Sequence, residues 1–123
     1  MSEVFELGPT RLWVVAATEG TTILGAELQP GAGSPWHTHT REDETIVVVS
    51  GELVVDDGER RVLTAGDARL LPRGVRHTFE NQGDAVTRVC FVCAPGGLER
   101  FFREITAGRP PSEPAARAGL VFE

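Results

Sequence analysis

Between Thr10 and Cys93 the chain alternates short β-branched runs with residues that reverse a backbone, and this rhythm limits the fold more than any other feature. The runs are Thr10 to Ala17, Thr21 to Leu28, Thr45 to Val49, Glu52 to Val55, Arg61 to Thr64, Ala68 to Leu71, His77 to Phe79 and Thr87 to Cys93. Between the later ones fall Ser50-Gly51, Asp56-Asp57-Gly58, Ala65-Gly66-Asp67, Pro72-Arg73-Gly74 and Asn81-Gln82-Gly83-Asp84. These residues tolerate the positive φ or the tight turn that a hairpin needs. Short strands at such close spacing predict an all-β, antiparallel barrel or sandwich.

After Val92 the texture changes. Pro95-Gly96-Gly97 ends the strand pattern, and Leu98, Phe101, Phe102 and Ile105 recur at i, i+3, i+4, i+7 with charged residues between them, which predicts one amphipathic helix on the outside of the sheet. Residues 1–106 are thus expected to form the barrel with its helix. Residues 107–123 turn to Gly, Pro, Ala and Ser and are expected to be a flexible tail. Its apolar end, Leu120-Val121-Phe122, leaves two readings open: a frayed terminus, or a segment docked over the barrel mouth or a neighbouring subunit.

With 123 residues the chain can bury enough surface to fold without a metal or a disulfide, so any metal site would serve function. Twelve basic residues against 18 acidic ones give a net charge of −6, with no basic run, which argues against nucleic acid as a partner. No apolar run is long enough to span a bilayer, and Met1-Ser2-Glu3 does not open an export signal, so no membrane partner and a cytoplasmic location are expected. A small molecule is the expected partner.

All three histidines fall where chemistry can use them. His37 and His39 are two apart, so at the start of a strand both imidazoles share a face. His77 follows the turn Pro72-Arg73-Gly74, and Glu44 heads the next apolar stretch, where a turn can return its carboxylate to the rings. Three neutral imidazoles and a carboxylate suit a divalent transition metal (Mn, Fe, Co, Ni, Cu or Zn) and leave coordination positions open for substrate, water or dioxygen. A single strand histidine is more often a core or surface residue than a ligand; here the spacing decides.

Gly31-x5-His37-x-His39-x4-Glu44-x6-Gly51, followed by Gly66-x5-Pro72-x-Gly74-x2-His77-x3-Asn81, resembles the paired signatures of the cupin superfamily. The resemblance implies a double-stranded β-helix (jelly-roll) barrel, commonly a homodimer, with His37, His39, Glu44 and His77 as metal ligands. It is also what selects Glu44 over Glu42 and Asp43, which are expected to be solvated loop charges. Asn81 is expected to bond to backbone at a strand end. The run from Pro95 to Phe102 is similar to that of small single-domain bacterial cupins of the quercetin dioxygenase-like kind.

Strand alternation gives the expected cavity wall. If Glu44 points inward so do Ile46 and Val48; with His77 goes Phe79; and an outward Arg88 turns Phe91 and Cys93 inside. Trp36 is expected at the rim, either gating the mouth or sealing an interface. Cys90 and Cys93 lie on opposite faces of one strand, out of disulfide reach, and are expected to be reduced and buried. Such an apolar pocket around a metal fits a metal-dependent dioxygenase of a small enol or phenolic substrate, with Glu44 also acting as catalytic base toward the substrate hydroxyl. The alternative is a non-catalytic module that binds or senses a small molecule through the metal. A sugar isomerase or epimerase is a third reading, disfavoured by the scarcity of polar residues inside.

Overall fold

The computed structural model describes residues 3–123; Met1 and Ser2, part of the opening read above for an export signal, lie outside the described residues. The elements are β1 Val4–Leu7, β2 Thr10–Ala17, β3 Thr22–Leu28, β4 His37–His39, β5 Asp43–Ser50, β6 Glu52–Asp56, β7 Arg60–Thr64, β8 Ala68–Leu71, β9 Thr78–Glu80, β10 Thr87–Ala94, α1 Glu99–Thr106, α2 Ser112–Ala118 and β11 Leu120–Phe122. One sheet has the order β1-β2-β3-β10-β5-β8, a second β7-β6-β9, and β11 pairs with β4. All pairings are antiparallel, and the strands form a double-stranded β-helix with the helices at the C-terminal end.

The alternation in the sequence becomes burial. Along β10, Thr87, Val89, Phe91 and Cys93 are buried while Arg88 is exposed; along β5, Glu44, Ile46 and Val48 are buried while Val49 faces outward. The barrel core is built from Phe5, Leu12, Leu24, Leu28, Ile46, Leu53, Val55 and Leu71 among others. Gly51, in the turn between β5 and β6, has φ 84°, and a Cβ there would meet Thr87 Oγ1 at 2.7 Å, so both conformation and space require glycine. Asn81 is fully buried. Its amide donates to the Leu28 and Ala85 carbonyls, and its oxygen accepts from the Gly83 N–H, which ties β3 to the loop before β10.

Where the composition suggested a structureless tail, the structure holds α2 and β11. Pro111 precedes α2 and Pro114 sits in its first turn, where no intrahelical N–H bond is lost, and the rest of the helix is largely alanine. Gly119 stops it in the left-handed conformation, φ 72° and ψ 26°, with its carbonyl accepting from Thr40. Seven residues make no stable helix alone. This one is held by Pro114, Ala115 and Ala118, which are buried, and by Arg117 bonding Glu104 of α1 at 2.7 Å. A second small core of Cys93, Leu98, Phe101, Ala115, Ala118 and Leu120 joins both helices and β11 to the barrel.

α1 is anchored by Glu99, whose buried carboxylate accepts from the Thr22 hydroxyl at 2.6 Å, while Thr22 Oγ1 accepts from the Gly97 N–H. No helix among the described residues is long and apolar enough to cross a membrane.

Candidate metal centre

His37 and His39 are the two inward residues of β4, with Thr38 between them half-buried, as the period of two requires. His77 lies just before β9 rather than beginning a strand, and an isolated bridge brings it opposite His37. Each backbone N–H of this pair donates to the other's carbonyl at 2.9 Å. Glu44 enters from β5, paired with Cys93 of β10 and Leu71 of β8. Four side chains from three regions of sequence thus meet: one ligand atom from each lies within 4.8 Å of the others, and all four residues are buried.

The rings are oriented from behind. His37 Nδ1 donates to the Pro35 carbonyl at 2.8 Å and His77 Nδ1 to the Val75 carbonyl at 3.1 Å. His39 Nε2 lies 2.9 Å from Glu44 Oε1, so its Nδ1 is turned away from the centre. Fixing Nδ1 as the donor leaves Nε2 of each ring as the inward atom. His77 Nε2 is buried with no hydrogen-bond partner, a nitrogen lone pair that only a cation or a proton can satisfy. A borderline nitrogen and oxygen donor set with an orphaned inward nitrogen fits a divalent first-row metal.

Charge follows the same geometry. Burial disfavours the charged form of His39, but the carboxylates of Glu42 and Glu44, 3.5 and 2.9 Å from its two ring nitrogens, more than offset it, raising its pKa to about 9. Burial dominates at His37, whose pKa falls to about 4 despite the bond to Pro35. Glu44 is desolvated too, yet the His39 ring 2.9 Å away and the His77 ring 3.8 Å away hold it well below the usual carboxylate range.

The sequence reading of Glu42 is overturned. Its side chain is 1% exposed, turned under β4 with Oε1 3.5 Å from His39 Nδ1. Asp43 does take a solvated role, gripping the Arg73 backbone N–H and guanidinium. Nothing local in the run Glu42-Asp43-Glu44 distinguishes them; alternation does, since residues at i and i+2 share the inward face and Asp43 is the odd one out.

A cavity of about 550 Å³ opens onto the centre, with His37, His39 and Glu44 in its wall. The barrel supplies Leu7, Leu12, Leu24, Phe79 and Phe91; α1 with its N-cap residue supplies Leu98, Phe101, Phe102 and Ile105; β11 supplies Leu120 and Phe122. Phe79 and Phe91 therefore stand where alternation placed them. Ile46, Val48 and Cys93 point inward but are sealed in the hydrophobic cores and do not line this space. Both cysteines are free, and burial, with the nearby Glu44 and Glu42 charges, pushes the Cys93 thiol far up.

Trp36 does not reach the cavity either: it is half-buried at the surface with the Arg76 guanidinium 4.0 Å over its ring. The residue that stands at the mouth is Phe122, 5.9 Å from the His37 ring and 6.0 Å from Phe101 between centroids. β11 holds it there by pairing Phe122 with His37 and Leu120 with His39, reinforced by an Arg76–Glu123 ion pair. Sequence reasoning left this segment open; its apolar end was the signal.

Residues 26–93 match the Cupin domain family. The chain is 36% identical over 92 residues to tetracenomycin polyketide synthase protein TcmJ of Streptomyces glaucescens, covering 72% of this chain and 62% of that protein. It is 39% identical over 82 residues to polyketide synthase CurC of Streptomyces cyaneus, covering 66% of this chain and 53% of that protein. It thus spans little more than half the length of these relatives. Oxalate oxidase 2 of Hordeum vulgare is 37% identical over 83 residues, 56% of this chain and 37% of that one. Among solved structures, KdgF from Halomonas sp. superposes with a TM-score of 0.72 at 25% identity, covering 77% of this chain and 87% of that one.

Proposed function

The chain belongs to the cupin family, and on that premise we propose that it is a metal-dependent cupin acting on a neutral, largely apolar enol or phenol, with dioxygen as co-substrate. The observation that carries this is the convergence of three inward imidazole nitrogens and Glu44, with His37, His39 and Glu44 in the wall of an apolar cavity. His37, His39, Glu44 and His77 would hold a divalent transition metal. When bound, such a metal supplies Lewis acidity toward a substrate oxygen and open positions for a second ligand.

The protein's own residues do the rest. Phe79 and Phe91, whose rings lie 5.4 Å apart, and Phe101 and Phe102, 5.2 Å apart, offer flat apolar surfaces for a ring system. Leu98, Leu120 and Phe122 keep bulk water from the reacting oxygen. A Glu44 carboxylate oxygen takes the proton of the substrate hydroxyl.

The cavity wall has no arginine, and the chain has no lysine at all, so a polyanionic or sugar ligand would find neither a guanidinium nor an ammonium group there. That argues against an isomerase of sugars. It also favours the chemistry in the names of TcmJ and CurC over that of the oxalate oxidases, because a polyketide carries enolisable ketones and phenols on an apolar skeleton.

Oxygen uptake by metal-loaded protein against a panel of flavonols, β-diketones and catechols tests the reading. Uptake that depends on substrate, metal and Glu44 supports it. Tight binding without uptake under any of the six metals leaves the non-catalytic binding module in its place.

A further inference from the structure

Glu42 is a long acidic side chain with 1% exposure whose Oε1 has no hydrogen-bond partner, and facing it at 3.5 Å is His39 Nδ1, itself unpartnered. Two orphaned buried atoms facing each other are costly unless some state of the protein joins them. The other two rings show what that state requires: His37 and His77 each have Nδ1 satisfied by a backbone carbonyl, of Pro35 and Val75. His39 is the exception, because no carbonyl reaches its Nδ1 and a carboxylate stands there instead.

We propose that Glu42 is the positioning residue of the metal centre, accepting the Nδ1 proton of His39 so that Nε2 is held as the inward donor. This rests on the metal reading of the site given above. At 3.5 Å the contact is longer than a seated N–H···O bond, and a small rotation of either side chain closes it. A carboxylate behind an imidazole fixes the tautomer and the ring plane and makes the opposite nitrogen a stronger donor. Glu42 acts through His39 and is not itself a ligand, since its Oε1 faces the ring atom turned away from the centre.

The test is zinc affinity of the full chain, set by a competing chelator with all proteins held at pH 9.5. Glu42→Leu is expected to bind zinc about 10- to 100-fold more weakly than the wild type. Glu42→Gln, which keeps an acceptor oxygen in the same volume, is expected to recover most of that loss. Affinities of all three proteins within twofold of one another would overturn the proposal, as would losses that track the melting temperatures of the metal-free chains instead of the acceptor.

A second measurement needs no variant. With three histidines in the chain, the ¹H–¹⁵N spectrum of zinc-loaded wild type is expected to show three slowly exchanging Nδ1–H signals. Absence of the one from His39 overturns the role of Glu42 even if Glu42→Leu does not fold. Failure of the wild type to take up zinc or any of the other five metals would sink the metal reading itself, whereas zinc uptake with unchanged variants sinks only this inference.

Discussion

Metal affinity should climb steeply with pH, because the metal-free centre holds a proton that a metal must displace. His39, between Glu42 at 3.5 Å and Glu44 at 2.9 Å, has its pKa raised to about 9. A protonated Nε2 has no lone pair to give. Below pH 9 each bound metal therefore releases one proton from His39, and apparent affinity falls tenfold per pH unit; above it the affinity levels off. From the high-pH plateau to pH 7 that amounts to about 100-fold, or about 2.7 kcal/mol. Glu44 adds no proton in this range, since its carboxyl titrates far lower, and His37, lowered to about 4, is already neutral. Zinc titration against a chelator of known proton affinity, at half-unit steps from pH 7 to 9.5, reads the slope directly. A flat profile across that range would refute the charge assignment at His39 and with it the reasoning from its two carboxylates.

Other outcomes follow from the scaffold. Asn81→Ala removes three hydrogen bonds at a fully buried position and strands two carbonyls, so urea or thermal unfolding should show a loss of about 2–4 kcal/mol; a loss under about 1 kcal/mol would contradict the network. Deleting residues 120–123 removes the strand that pairs with β4 and places Phe122 over His37, so an apolar fluorescent dye should bind and exchange faster than in the full chain. Unchanged dye kinetics would mean that β11 does not close the cavity.

The parts of this molecule legible in its sequence are those set by short-range rules. Alternation placed Phe79 and Phe91 in the cavity wall, and two-residue spacing put His37 and His39 on one face. Asn81 bonds to backbone just past the end of β9, as expected for a strand end. What alternation could not say is how deep each inward residue sits: Ile46 and Val48 share a face with Glu44 yet lie under it in the core, beyond the reach of a ligand. α2 and β11 were hidden for a related reason. Their local signals, Pro111 and Pro114 at a helix start and Gly119 at its end, are weak alone, and only burial of Ala115, Ala118 and Leu120 against α1 and Cys93 makes them structure. Glu42 was misread because an acid in the loop before β5 looks solvated until the chain turns it to the same buried side as Glu44.

The central claim is that His37, His39, Glu44 and His77 form one metal centre, and its most direct measurement is metal stoichiometry in the untagged full chain. Purified protein dialysed against zinc, manganese or iron(II) and analysed by inductively coupled plasma mass spectrometry should retain close to one equivalent. His77→Ala, which removes the inward nitrogen left without a partner, should abolish retention while the fold persists. Less than about a tenth of an equivalent in the wild type with every metal, or equal retention in His77→Ala, would contradict the account.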